Sequence, residues 1–191
     1  MNNATIETAL HSSGRNNALP GFSGLCVKMA VVHTISYMFM GIIAMTLMDY
    51  KSAFAQPELA CWMRSFDDPL LQAGVLFQPL RGILFALAFY PVRSIVFEKH
   101  GWYIMGWLLV ALGILGTFGP APGSFEGYLF TRLHGQYMGY IEVVPQALLL
   151  AAIVCYWVRN PKNWLNWLLG VLFVITMLLP ILGMLSKHHP A

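Results

Sequence analysis

Three of the longest apolar stretches each carry a pair of polar residues at helical spacing. They are His33 and Tyr37, Gln78 and Arg81, and Glu142 and Gln146. Separations of three and four put both members of a pair on one face of a helix. Each stretch therefore has a stripe that lipid would penalise and the interior of a helical bundle would accept. Together the stripes offer a fixed cation in Arg81, a carboxylate in Glu142 that could balance it or accept a proton, and an imidazole in His33. Gln78, Gln146 and Tyr37 would shape and satisfy such a site.

Depth gives the stripes their weight. An arginine at the centre of a membrane helix costs about 2.5–3.5 kcal/mol on insertion scales. Arg81 has about eleven apolar-run residues on either side, roughly 16 Å at 1.5 Å per residue, too far for easy snorkelling. Counting turns puts all six residues in one half of the membrane or at its midplane. The expectation is one shared polar cluster, with Glu142 as counter-charge to Arg81. Pro79 and Pro145 adjoin Gln78 and Gln146 and would free the carbonyls of Val75 and Ile141. Gly82 and Gly41 would allow close helix approach. In an alternative assignment, the second span runs from Arg81 to Glu98, leaving Arg81 at a surface and burying Arg93.

The elements that hold these residues follow from composition. Hydrophobic residues make up 58% of the 191 positions and charged residues only 10%, against about 25% charged in soluble domains. Too little polar surface remains to cover a water-exposed globule, so membrane lipid is the first partner. Five runs, 25–48, 70–92, 101–119, 137–158 and 164–185, approach the roughly 20 residues that cross a bilayer. Lipid selects helices over open strands, and no period-two pattern suggests a membrane barrel. The fold class expected is all-α, a polytopic integral membrane bundle of about five transmembrane helices. Residues 1–22 read as a flexible polar arm and 23–187 as a single bundle. Within it, 120–136 forms an interfacial loop where Ser124 caps a short helix and Glu126 could help cover the mouth of the site. The distribution of Lys and Arg between loops places the N-terminus in the cytoplasm and the C-terminus outside, as in a bacterial inner membrane.

Other classes find little support. A formal charge of +3 with no basic-aromatic cluster argues against nucleic acid. Cys26, Cys61 and Cys155 lack ligand or disulfide spacing, and one histidine per helix without a mate at matching depth argues against haem or a metal. No cofactor or metal is expected. GxSxG, HExxH and phosphate-cradling glycine loops are absent. The leading expectation is a protein that binds, or helps move, a small polar, anionic or amphipathic ligand at an outward-facing cluster of Arg81, Glu142, Gln78, Gln146, Tyr37 and His33. The rivals are an accessory subunit with a homo-oligomeric or membrane-complex partner, and an embedded enzyme acting on a lipid or isoprenoid with Glu142 and His33 as acid and base.

Overall fold

The computed structural model describes residues 19–61, 63–65, 68–117, 119–133 and 135–188. Most of the expected N-terminal arm (1–18) lies outside the described residues. Those described form helices, with no strand among them. Helix α1 spans Phe22–Leu47. Three short helices follow, α2 (Tyr50–Phe54), α3 (Pro57–Ala60) and α4 (Pro69–Gln72). A 3₁₀ turn, Ala73–Phe77, joins α4 to α5 (Gln78–Phe89). Then come α6 (Arg93–Val96), α7 (Gly101–Val110) with a π-turn at Ala111–Leu115, and α8 (Phe125–Phe130). The last two helices are α9 (Met138–Arg159) and α10 (Asn163–His188).

Among the described residues, four segments are long and apolar enough to cross a membrane: Phe22–Leu47, Pro69–Phe89, Met138–Arg159 and Asn163–Ser186. The fifth apolar segment, Gly101–Leu115, is shorter and reaches only about 22 Å at 1.5 Å per residue. The described residues thus form a small helical membrane bundle of four candidate spans and one shorter apolar helix.

Helix α1 is the axis of the bundle. It packs against α5, α9 and α10, and α9 in turn packs against α7. Side chains of α1 meet neighbours on several sides, which explains why Leu25, Met29 and Val32 are fully buried. These three join Ala86 and Phe89 of α5, Met105 and Leu109 of α7, and Leu150, Ala151 and Val154 of α9 in one apolar core. That core occupies the half of the bundle nearest the N-terminus of α1 and the C-termini of α5 and α9. The buried polar residues of α1, His33, Thr34 and Ser36, begin where it ends. Thr34 and Ser36 satisfy their hydroxyls locally on the carbonyls of Ala30 and His33. Helix α10 is peripheral: only 11% of its most apolar window is buried, and Leu168, Val171, Leu178 and Leu182 point outward. An apolar exterior of this kind is what a hydrocarbon environment requires.

The α1–α5 crossing depends on Gly82. A β-carbon there would meet the Cα of Ala30 at 2.5 Å and the carbonyl oxygen of Met29 at 2.7 Å, both backbone atoms. Helices this close need a residue without a side chain at the contact. Gly82→Ala should lower stability by about 1–3 kcal/mol, the usual cost of forcing a methyl group into a packed contact. Gly24→Ala, where a β-carbon meets nothing within 4 Å, should leave thermal unfolding in detergent unchanged or slightly raised.

Candidate functional site

The site is built around the point where the second span stops being one continuous helix. In a regular α-helix the carbonyl of Val75 would wait for the N–H of residue 79, which is proline. The chain instead tightens into the 3₁₀ turn, and the backbone N–H of Gln78 donates to the Val75 carbonyl. Pro79 then falls in the first turn of α5, where no intrahelical N–H is needed. The carbonyl expected to be freed by Pro79 is therefore satisfied. Pro145, by contrast, lies inside α9, where its missing N–H deprives the Ile141 carbonyl of its i+4 donor.

The side chain of Gln78 completes the break. Its Nε2 donates to the carbonyl of Gly74 at 2.9 Å, and its Oε1 lies 3.0 Å from Nε2 of His33. A carbonyl can only accept, so the Gly74 contact assigns which end of the amide is nitrogen. Gln78 Oε1 must then accept from His33, and His33 Nε2 must carry the hydrogen. In the neutral ring this leaves Nδ1 as a lone-pair acceptor. His33 is 2% exposed, and Nδ1 is the one fully buried side-chain polar atom among the described residues with no hydrogen-bond partner. A buried acceptor left without a donor costs about 1–3 kcal/mol.

The Phe85 ring meets the imidazole edge-on with centroids 5.0 Å apart, and Tyr37 lies at 6.4 Å. Arg81 is within electrostatic range of both His33 and Tyr37. Its side chain is nevertheless exposed on the flank of α5, with the guanidinium carbon 5.8 Å from the centroid of the Phe85 ring. Arg81 and Glu142 form no ion pair; among the described residues the ion pair formed is Arg64–Asp68. Glu142 instead accepts a hydrogen bond from the hydroxyl of Tyr50. Burial, and then that bond to the carboxylate, push the Tyr50 hydroxyl well above the usual tyrosine range, so it stays a donor. Glu142 reaches the rest of the cluster through Tyr37, which lies within electrostatic range of it.

The remaining two candidates stand apart. Gln146 is buried on α9 but forms no hydrogen bond to His33, Tyr37 or Gln78. Glu126 is exposed in the first turn of α8, and no hydrogen bond or ion pair joins it to the cluster.

Two other polar residues organise this part of the chain. Tyr50 opens the short helix just past the end of α1, and its hydroxyl reaches Glu142, 92 positions away in sequence. Gln136 is buried in the loop before α9. Its Oε1 accepts from Gly123 N, and its Nε2 faces the Gly127 and Leu133 carbonyls and the Thr131 hydroxyl. Ser124 caps α8 by accepting from Gly127 N, and Tyr140 OH donates to the Gly123 carbonyl. The loop is thereby tied to itself and to α9. The only signal for Gln136 in the sequence is a glutamine among glycines and aromatics.

No group of three or more metal-ligating side chains gathers among the described residues. Two surface grooves lie elsewhere, one along α10 and one between α7 and α9. Compared with protein-family models, with curated proteins and with solved structures, the chain matches none of them.

The Tyr50–Glu142 contact makes a quantitative expectation. In a double-mutant cycle of Tyr50→Phe and Glu142→Gln, thermal unfolding should show a coupling of about 0.5–3 kcal/mol, the range for residues in direct contact. The Arg81→Gln and Glu142→Gln cycle should give a smaller coupling than this.

Proposed function

We propose that this chain is a multi-pass membrane protein that binds, or helps move, a small polar or amphipathic ligand at the His33–Gln78–Tyr37 cluster. The observation that carries the reading is the orphaned Nδ1 of His33. Because this atom accepts, the ligand engages it with a hydroxyl, ammonium or other N–H or O–H donor. Arg81 and Glu142 supply charges of opposite sign near Tyr37, so an anionic or zwitterionic group on the same ligand has a partner at hand. Gln78 holds the imidazole in the tautomer that aims the lone pair at the ligand. On the positive-inside rule the basic end of the bundle faces the cytoplasm, and the cluster, with Glu142 and Tyr50, then lies in the outer half of the membrane.

A second reading has its own support. The outward face of α10 carries a groove along Asn166, Trp167, Gly170, Val171, Val174 and Ile175, which suits a neighbouring membrane helix. The chain would then act as an accessory subunit, and the cluster would lock helices together.

Native mass spectrometry of the protein purified in mild detergent separates the two. The double variant His33→Phe/Gln78→Leu removes both partners of the His33–Gln78 bond together but leaves the Gly74 carbonyl without the Gln78 amide, a loss of about 1–3 kcal/mol. Ligand binding predicts a small-molecule adduct on the wild-type chain that the double variant loses, with stability lowered by no more than the about 1–3 kcal/mol of the Gly74 carbonyl. A bare wild-type chain with a strongly destabilised double variant would identify a lock. A protein-mass adduct dispersed by Gly170→Leu would identify the subunit.

A further inference from the structure

Basic side chains concentrate at the end of the bundle opposite Glu142. Lys28 of α1 stacks over the Trp157 ring at 3.8 Å, and Arg93 lies 4.1 Å from the Tyr90 ring centroid while donating to the Tyr90 carbonyl. Arg159, at the last turn of α9, donates to the carbonyl of Lys99 at 2.8 Å, which brings the loop before α7 against the end of α9. Lys99 and Lys162 are exposed beside it. Against these five cations, Glu98 is the acid described at this end.

Between α7 and α9, beneath this basic rim, runs a groove of about 200 Å³. Trp102, Ala152, Cys155 and Tyr156 form its mainly apolar wall, and Arg159 stands at its mouth. Trp102 and Tyr156 are about half exposed, placing aromatic rings at the level where the basic side chains begin. Interfacial aromatics sit at the headgroup depth of a bilayer. Basic pockets between membrane helices, opening beside apolar wall, fit the phosphate of an anionic lipid. Cys155 is not a reactive feature of this groove, since its thiol is buried and hydrogen-bonded to the Val96 carbonyl at 3.2 Å.

We infer that the α7–α9 groove binds one anionic phospholipid, with its phosphate at Arg159 beside Lys99 and Lys162 and an acyl chain along Ala152 between Trp102 and Tyr156. Charge complementarity selects the anionic headgroup, and the apolar length of the groove selects a lipid over a free phosphate ion. This site is independent of the His33 cluster and requires nothing of it. The bound lipid would cover the seam where the shorter apolar helix α7 meets α9.

The test compares palmitoyl-oleoyl phosphatidylglycerol with palmitoyl-oleoyl phosphatidylcholine, which share acyl chains, as adducts of the full chain in native mass spectra. Wild-type protein should retain the phosphatidylglycerol about fivefold better, the order expected for one basic residue at a lipid phosphate. Arg159→Gln should bring its retention down to the phosphatidylcholine level, and Arg159→Lys should restore most of the preference. Ala152→Phe fills the groove without changing charge and should reduce retention of both lipids. Equal retention of the two lipids by wild type would overturn the proposal. So would unchanged phosphatidylglycerol retention in Ala152→Phe, which would leave only surface charge. Loss of preference in Arg159→Lys as well would assign the effect to the Lys99 contact and equally overturn it.

Discussion

The Gln78 amide carries two obligations at once. It occupies the carbonyl of Gly74 where the second span breaks, and it takes the hydrogen of His33 Nε2 across the α1–α5 interface. Within an apolar span no water is at hand to satisfy such groups, so a break in the backbone ladder must be closed by protein or ligand. One glutamine closes both the break and one side of the imidazole. The consequence is that the other side, Nδ1, faces the interior without a donor. Everything proposed for this cluster follows from that asymmetry.

The bundle is divided into two halves with different physics. One is filled by apolar side chains of α1, α5, α7 and α9 and is rimmed by basic residues that stack on aromatic rings. Gly82 lets α1 and α5 meet backbone to backbone on the way, which fixes the interface on which the His33–Gln78 contact depends. The other half holds the histidine, the phenols, the Gly74 carbonyl and Glu142. Dispersion and close packing hold the first half together, whereas oriented hydrogen bonds organise the second. A ligand in the second half could exchange contacts without disturbing the packed core.

Much of this was legible in the residues. The scarcity of charge and the length of the apolar runs imply a helical membrane bundle, and the described residues provide four candidate spans and a shorter fifth helix. The helical spacing of polar pairs pointed to the stretch around Gln78. What could not be read was pairing. Depth counting treats a helix as a straight ruler, but the second span contains a 3₁₀ turn, and Arg81 emerges on an exposed flank. Depth also says nothing about rotation around the helix axis, which decides whether two residues at one level face each other. Glu142 is therefore met by Tyr50, from the short helix that follows α1. Gln136 was missed for a related reason: its partners are backbone groups of its own loop, and backbone groups leave no mark in sequence.

The central claim is that Gln78 fixes the tautomer of His33 and leaves Nδ1 bare. Solid-state nitrogen NMR of selectively labelled histidine in lipid bilayers, with His33 assigned by its loss in His33→Phe, measures this directly. The account predicts one directly bonded proton on the His33 ring, at Nε2, with an unprotonated Nδ1. It also predicts that in Gln78→Leu this single-tautomer signal is replaced by a mixture of tautomers. A proton found on Nδ1 in the wild-type protein, or a His33 spectrum indifferent to the loss of Gln78, would contradict it.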